Sequence, residues 1–263
     1  MLVPPGIWAP VLTGWAIVAV FMAALWALHL MIRNAGIIDV GWSASLPMLA
    51  LFYAGRLSGG GRSWLLALIV AIWGFRLAVY LLVTRVIGQP EEGRYLEIRR
   101  GYGAHDTARF LLFFQAQALI AVILSLPFLL VARHGGEPGA LEWFAVALWL
   151  GSISAESLAD RQLVTFKRNP ANRGRVCDVG LWRYSRHPNY FFEALIWVSY
   201  ALYAMGSPDG WVGLISPAMM AYFLLCVTGV PLAEAQALRS RGEAYRRYQE
   251  VTSVFVPWFP RHR

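Results

Sequence analysis

Long apolar stretches separated by short arginine-rich loops form the dominant pattern of this chain. Several stretches approach the roughly 20 residues that a helix needs to cross a bilayer. The first begins near Ile7, is too long for a signal-peptide core and follows no basic region, so we interpret it as a retained span. The pattern predicts seven membrane-spanning helices at Ile7–Ile32, Val40–Gly55, Ser63–Val86, Phe110–Val131, Leu141–Ser157, Tyr190–Met205 and Trp211–Leu232.

Composition agrees with a membrane protein. Hydrophobic residues make up 58% of the chain and charged residues only 14%, against about 25% charged residues in soluble domains. The sequence shows no internal repeat and no linker long enough to divide it. We therefore predict an all-α polytopic membrane protein with a single domain over residues 1–263.

The distribution of charge predicts an orientation. The formal net charge is +8, and eighteen of the 23 basic residues lie in the loops after the third and fifth predicted spans and in the C-terminal tail. Arg56, Arg62 and Arg133 are assigned to the opposite face. The positive-inside rule then places the N-terminus outside and the C-terminus in the cytoplasm. This rule accounts for the arginines more simply than nucleic-acid binding does, and the excess favours a polyanionic ligand.

Several site classes are disfavoured. Cys177 and Cys226 are the only cysteines and form no CxxC pair or His/Cys cluster, which argues against a disulfide framework and a zinc site. The chain also contains no GxGxxG and no Walker A motif. Any nucleotide would have to be held by side chains and helix ends.

The segment GLWRYSRHPNYFFE, residues 180–193, is the strongest candidate for a site. Polar donors at the mouth of a membrane helix are costly unless something occupies them. We expect Pro188 in the first turn of the sixth span, with Asn189 at the helix N-terminus, which favours anions. Glu193 would lie one turn inside. The alternative is a solvated basic loop with an aromatic interface belt, which leaves Asn189 and Glu193 unexplained.

Two further groups of residues lie earlier in the chain. Arg76 stands inside the third span with Tyr80 one turn later, which favours a polar cavity over snorkelling to the interface. Asp39, at the start of the second span, is either a helix N-cap or a catalytic partner of Arg76 or Tyr80. The residues alone leave both interpretations of Asp39 open.

Two amphipathic segments allow a structural and a functional interpretation. In Glu91–Arg100, the residues Arg94, Tyr95 and Arg99 either belong to a solvated helix with internal ion pairs or line the mouth of a cofactor site. The tail Glu234–Pro257 is basic and amphipathic. It is typical of a membrane-surface helix, and a ligand role is the alternative.

The run GLWRYSRHPNYFFE resembles the C-terminal signature of the membrane-bound steroid 5α-reductase family, in particular its bacterial branch described as a domain of unknown function (DUF1295). The resemblance extends to NAGIIDVGWS, WGFRLAVYLLVTR, EEGRY and GEAYRRYQEVTSVFVP. It implies a seven-helix reductase with NADPH in a cytosol-facing cavity. Such an enzyme of the bacterial inner membrane would reduce the C4=C5 bond of a 3-oxo-Δ4 steroid or a similar lipophilic enone.

The resemblance also implies roles for individual residues. Tyr80 would polarise the substrate carbonyl, with Arg76 in the same motif and Asp39 where the family carries a glutamate. Phe192 stands where relatives often have glycine, and Glu156 replaces an asparagine; both departures concern the choice of substrate more than the reaction class. With the basic and aromatic residues described above, the predicted NADPH contacts are Arg94, Tyr95, Arg99, Asp160, Lys167, Arg168, Arg175, Tyr184, Arg186, His187, Asn189, Glu193 and Tyr248.

Two other function classes stay open at this point. The superfamily also holds isoprenylcysteine carboxyl methyltransferases, which share the RHPxY run, so the alternative enzyme is a membrane methyltransferase that uses S-adenosylmethionine. A transporter or lipid-binding protein would also explain an intramembrane arginine, although the inverted repeat of many transporters is not visible. In each case we expect a lipophilic small molecule and membrane lipid as partners and no nucleic acid.

Overall fold

A computed structural model describes residues 6–57, 60–103 and 106–261. Across these residues the protein is all-helical, with eleven α-helices and no strand. The helices are α1 (Trp8–Ile32), α2 (Ile37–Arg56), α3 (Gly60–Leu81), α4 (Gly93–Tyr102), α5 (Asp106–Leu124), α6 (Leu126–His134), α7 (Ala140–Arg168), α8 (Pro188–Ala204), α9 (Ile215–Tyr222), α10 (Val230–Arg241) and α11 (Glu243–Val251). Short π-helical turns occupy Leu82–Val86 and Phe223–Val227, and 3-10 turns occupy Pro170–Asn172, Gly180–Arg183 and Gly210–Leu214.

Five helical segments are long and apolar enough to cross a membrane. They correspond to the first four and the seventh of the predicted spans, and they confirm the all-helical membrane class. The segments are Trp8–Ile32, Ile37–Arg56, Gly60–Val86, Asp106–Leu124 and Gly210–Arg241.

The other two predicted spans correspond to α7 and α8. α7 runs on to Arg168 and carries acidic and basic residues along its C-terminal half. α8 has 17 residues, which is about 26 Å at the α-helical rise and shorter than the roughly 30 Å hydrocarbon core. The number of spans and their orientation therefore stay predictions.

The predicted span Phe110–Val131 is interrupted. α5 ends at Leu124 and α6 begins at Leu126, with a proline in its first turn. Pro127 has no backbone N–H and continues a preceding helix poorly, whereas the first turn of a new helix accepts it readily. Ser125 stands between the two helices and donates its hydroxyl to the Val122 carbonyl at 2.7 Å.

The chain divides into two compact units, one formed by Met1–Gly139 with Tyr203–Ile215 and the other by Ala140–Leu202 with Ser216–Arg263. In the first unit, α2 packs closely against α1 and α3 because glycines stand at the crossings. A Cβ added to Gly74 would lie 2.5 Å from Pro47 Cγ, and one added to Gly41 would lie 2.4 Å from Leu25 Cδ1. Small residues allow such close approach between apolar helices.

In the second unit, α7 and α8 share an aromatic contact. Trp197 and Tyr200 are fully buried, and their rings lie 5.7 Å apart, edge to face. The Trp149 indole N–H of α7 donates to the Tyr200 hydroxyl at 3.1 Å. A second, smaller core joins Ala237 of α10 to Tyr245 and Tyr248 of α11.

Candidate functional site

Asp39 binds residues of α4 in the first unit. It lies in the first turn of α2, but the N-cap residue is Gly36, so the N-cap interpretation is wrong. The Tyr95 hydroxyl donates to Asp39 Oδ1 at 2.8 Å, and the Arg94 guanidinium forms a short ion pair with the same carboxylate. Arg85 contributes a third, longer contact at 4.0 Å. Asp39 therefore fastens α4 to the start of α2.

Burial keeps the Tyr95 phenol in its protonated form. Its side chain is 2% exposed, and burial together with the charge of Asp39 raises the pKa of Tyr95 well above its usual range. The hydroxyl is thus a permanent donor to the carboxylate. The geometry is that of a satisfied structural pair.

A second carboxylate of the first unit, Glu91, is bonded to α4 and to the backbone just before α2. It accepts two hydrogen bonds from Arg99, at 2.9 and 3.2 Å, and one from the Ala35 N–H at 2.7 Å. Burial alone would raise the pKa of Glu91, but these hydrogen bonds lower it below its ordinary value. Arg99 also donates to Asp106 at 2.8 Å. The acids of the first unit therefore neutralise both Arg94 and Arg99, two predicted NADPH contacts.

Tyr80 and Arg76 lie one turn apart on α3. Tyr80 is 47% exposed and Arg76 is half-buried. The hydrogen bonds and ion pairs of the Asp39 carboxylate within the described residues go to Arg85, Arg94 and Tyr95, so they do not join Asp39 to Tyr80. The suggested pairing of Asp39 with Arg76 or Tyr80 is not present in this structure.

In the second unit, the first turn of α8 meets α7. α8 begins at Pro188, as predicted. Asn189 Nδ2 donates to Asp160 Oδ1 at 3.2 Å, whereas Asn189 Oδ1 is buried and has no hydrogen-bond partner among the described residues. One turn later, Glu193 accepts from the Trp197 indole N–H at 2.9 Å. Two predicted contacts, Asp160 and Asn189, are therefore direct neighbours.

A partly buried cluster around Glu234 of α10 holds the residues just before α8. Glu234 Oε1 lies 2.9 Å from Arg186 Nε and 3.2 Å from His187 Nε2. Gln249 Nε2 donates to Glu234 Oε2 at 2.7 Å, and the Tyr245 hydroxyl donates to Oε1 at 3.3 Å. We call these five residues the Glu234 cluster.

The pKa of His187 lies below its ordinary value because burial outweighs the favourable effect of Glu234. The imidazole is then neutral at pH 7, and its Nε2–H donates to the carboxylate. His187 also stacks on Tyr190, with ring centroids 5.5 Å apart and an interplanar angle of 6°. Both contacts fix the orientation of the ring.

Residues 252–261 form a C-terminal segment that binds the loop before α8 through its backbone. The Arg186 N–H donates to the Ser253 carbonyl at 2.8 Å, and the Trp258 N–H donates to the Tyr184 carbonyl at 2.9 Å. The Ser185 hydroxyl adds a bond of 2.8 Å to the Phe255 carbonyl. This segment thus fixes the loop at three consecutive residues.

Tyr248 supports the same loop from α11. Its buried hydroxyl donates to the Trp182 carbonyl in a short bond and lies 3.3 Å from the Ser185 carbonyl. Burial raises the pKa of Tyr248, so it remains a donor. Tyr248, Arg186 and His187 therefore hold the loop in place by bonds to protein groups.

The basic residues around this loop face outward. Lys167, Arg168 and Arg175 are exposed. Although the Lys167 residue as a whole is exposed, partial burial of its ammonium group and the neighbouring charge of Arg241 lower its pKa. Arg241 Nε donates to the Arg175 carbonyl at 2.9 Å. Several cations thus converge near the end of α7, a composition that suits phosphate.

Sequence reasoning did not single out Glu234, Arg85 or Gln249. Glu234 follows an apolar run as its first carboxylate, and an acid at that position requires a partner when buried. The sequence therefore indicated that Glu234 needs a partner. It did not indicate which residues, because Arg186 and His187 lie about fifty residues earlier in the chain. No group of three or more His, Cys, Asp or Glu side chains in the described residues is arranged to hold a metal ion.

The family described as "Protein of unknown function (DUF1295)" matches residues 25–252 of the chain. An uncharacterized protein of Schizosaccharomyces pombe is 24% identical over 275 residues, an alignment that covers 94% of this chain and 80% of that protein. No solved structure matches the chain. Because the family match covers most of its length, the chain belongs to the DUF1295 family.

Proposed function

We propose that this DUF1295 protein is an NADPH-dependent membrane reductase that reduces the C=C bond of a lipophilic α,β-unsaturated ketone, such as a 3-oxo-Δ4 steroid. The proposal rests on the resemblance of its motifs to the steroid 5α-reductases and on the polar groups of the second unit. NADPH would supply the hydride, and residues of this chain would hold the cofactor and donate a proton.

The observation that carries the proposal is the buried amide oxygen of Asn189. Its Nδ2 is bonded to Asp160, but its Oδ1 has no partner among the described residues. Leaving a buried acceptor unpaired costs about 1–3 kcal/mol. A hydroxyl or amide N–H from a ligand would satisfy it, and NADPH offers both in its riboses and its carboxamide.

The cations at and just after the end of α7 provide groups that can bind the phosphates of NADPH. Arg168 and Arg175 are exposed, and no carboxylate of the described chain forms an ion pair with either. Planar guanidinium groups match phosphate oxygens in a two-point arrangement. These two residues and Lys167 would therefore bind the phosphates, while Asn189 would bind a sugar or carboxamide group.

Tyr80 is the proposed proton donor. Its exposure of 47% on α3 leaves the side chain accessible to a lipophilic substrate. Negative charge develops on the carbonyl oxygen of an enone during reduction, and an O–H donor aimed at that oxygen stabilises it. Asp39 is occupied by Arg94 and Tyr95. We therefore assign the proton transfer to the Tyr80 hydroxyl without Asp39 as its partner.

Binding is tested by titrating purified protein with NADPH, NADH and S-adenosylmethionine and following the melting temperature. Asn189→Ala should weaken NADPH binding roughly 5- to 150-fold, the equivalent of a 1–3 kcal/mol hydrogen bond. Asn169→Ala is the matched control, since the Asn169 side chain accepts from the nearby Ala171 N–H at 3.0 Å. Stabilisation by S-adenosylmethionine alone would reject the reductase in favour of the methyltransferase.

Turnover is tested with Tyr80→Phe, which removes one hydroxyl and keeps the ring. We expect this variant to bind NADPH like the parent and to lose at least 100-fold in kcat on an enone substrate, as for other single donors to a developing oxyanion. Parent-level turnover in Tyr80→Phe would refute the role assigned to this residue.

A further inference from the structure

A cavity of about 330 Å³ lies at the end of α1 in the first unit. This volume is at the lower end of the range of small-molecule sites. It is separate in sequence from the groups proposed to hold NADPH in the second unit. The cavity is lined by His29, Leu30, Arg33, Glu91, Leu96 and Arg99.

His29 contributes an unsatisfied polar atom to this region. The side chain is 1% exposed, and its ring packs against Phe110 and Phe114 with centroids 5.2 and 5.3 Å away. Nδ1 lies 2.5 Å from the Trp26 carbonyl oxygen, so Nδ1 carries a proton and a neutral ring leaves Nε2 as an acceptor. Nε2 is buried and has no partner among the described residues.

Arg33 contributes an uncompensated positive charge. Glu91 and Asp106 both bind Arg99, whereas no described carboxylate forms an ion pair with Arg33, which is exposed. Arg33 also has a φ of +52°, a conformation that asparagine and glycine adopt more readily than arginine. Among the described residues, the cavity lining therefore includes one cation without an ion-pair partner, and His29, which also lines the cavity, retains one buried acceptor without a partner.

The position of the cavity indicates which molecules reach it. α1 is a candidate membrane span that ends at Ile32, so Arg33 stands where a bilayer changes from hydrocarbon to headgroups. Leu30, Met31 and Ile32 beside it are 40%, 81% and 41% exposed. Apolar surface next to a free cation suits an amphiphile with an anionic head.

We propose that this cavity binds a phosphate monoanion that carries a neighbouring hydroxyl, as in the head of an anionic glycerophospholipid. The phosphate accepts hydrogen bonds from Arg33, and the hydroxyl donates to His29 Nε2. Leu30 and Leu96 contact the adjoining carbons. This site is independent of the proposed reductase activity.

The test uses the full-length protein, purified in detergent and stripped of lipid. The probes are phosphatidylglycerol, phosphatidylcholine with the same acyl chains, and soluble glycerol phosphate. Binding is measured as a dissociation constant by native mass spectrometry and as a shift in melting temperature. We expect phosphatidylglycerol to bind at least tenfold more tightly than phosphatidylcholine.

Arg33→Asn removes the charge and at the same time suits the left-handed backbone. We expect it to be at least as stable as the parent and to weaken phosphatidylglycerol binding at least tenfold. Arg100→Gln is the matched control, since it removes an exposed charge outside the cavity lining and should change affinity less than twofold. His29→Phe, which keeps an aromatic ring beside Phe110, should also weaken binding.

The outcomes separate the source of the ligand from its chemistry. Tighter binding of phosphatidylglycerol than of glycerol phosphate assigns the site to lipid, and the reverse order assigns it to a soluble phosphate. Equal affinity for phosphatidylglycerol and phosphatidylcholine would overturn the proposal. An Arg33→Asn variant that binds like the parent, or that loses no more affinity than Arg100→Gln, would overturn it as well.

Discussion

Replacing Glu234 by alanine tests the Glu234 cluster most directly. The substitution removes the carboxylate that contacts Arg186, His187, Tyr245 and Gln249. Arg186 would keep its bond to the Gln249 carbonyl at 3.0 Å but would lose its counter-charge. The loop before α8 would lose the one acidic group of this cluster.

The burial of both partners sets the expected magnitude. The Arg186 and Glu234 side chains are 11% and 17% exposed. Removing one partner of a buried ion pair costs about 3–5 kcal/mol, because the other charge is left without compensation. For a chain of this size each kcal/mol lowers the melting temperature by about 2–4 °C. We expect Glu234→Ala to lower it by roughly 6–20 °C, and Glu234→Gln to lower it less, since an amide oxygen still accepts.

The protein contains a suitable reporter for this measurement. Cys177 is buried in the second unit, and Cys226 is exposed. With Cys226 replaced by serine, the reaction of Cys177 with a fluorogenic maleimide during heating reports the unfolding of its surroundings. Glu243→Ala is the matched control, because Glu243 and Arg246 are 66% and 70% exposed at 3.8 Å, and exposed ion pairs contribute little.

The refuting result is equally specific. If Glu234→Ala lowers the midpoint no more than Glu243→Ala does, the ion pair with Arg186 does not stabilise the loop. A Glu234→Gln variant as unstable as Glu234→Ala would show that the negative charge matters and that the hydrogen bonds to the oxygens do not.

Three further results are expected. Gly74→Ala should destabilise the protein by about 1–3 kcal/mol through overpacking, since its Cβ would meet the proline ring of α2 at 2.5 Å. Gly151→Ala is the control: nothing lies within 4 Å of its added Cβ, so it should be neutral or stabilising by up to ~1 kcal/mol. Equal melting temperatures of the two variants would contradict this prediction. Tyr95→Phe should cost about 1–3 kcal/mol by removing the donor to Asp39, measured by denaturant unfolding, and an unchanged midpoint would show that the bond contributes nothing. The lowered pKa of His187 means that the unfolded chain binds this proton more readily, so stability should fall as the pH drops below about 6.5; a His187→Gln variant should lose that part of the pH dependence.

The lengths of the apolar runs were sufficient to predict the long apolar helices. The apolar run that begins near Ile7 became α1, which ends at Ile32 as expected. Pro188 in the first turn of α8 was predicted from its missing N–H alone. Both predictions depend on local properties of the chain, which the sequence contains in full.

Interruptions of the long helices were not predicted. The pattern gave one span over Phe110–Val131, whereas the helix breaks at Ser125. The π-helical turns at Leu82–Val86 and Phe223–Val227 lie inside apolar runs with no marker of their own. Hydrophobicity defines which segments enter an apolar phase, and it carries little information on where their hydrogen-bond register changes.

The partners of charged side chains were the hardest to predict. The sequence suggested two partners for Asp39, Arg76 and Tyr80, and the structure joins it instead to Arg94 and Tyr95, 55 and 56 residues away. Tyr80, one of the two suggested partners, lies on α3 and is 47% exposed. Such pairings depend on how helices pack, and residue spacing along one helix does not determine them.

The C-terminal segment 252–261 has a consequence for the order in which this protein matures. The loop at Tyr184–Arg186 obtains its backbone partners from Ser253, Phe255 and Trp258, and the Ser185–Phe255 contact spans 70 residues. At about 5–20 residues per second, a ribosome adds those partners several seconds after it has made the loop. The loop therefore cannot form these three hydrogen bonds until the C-terminal segment has been synthesised.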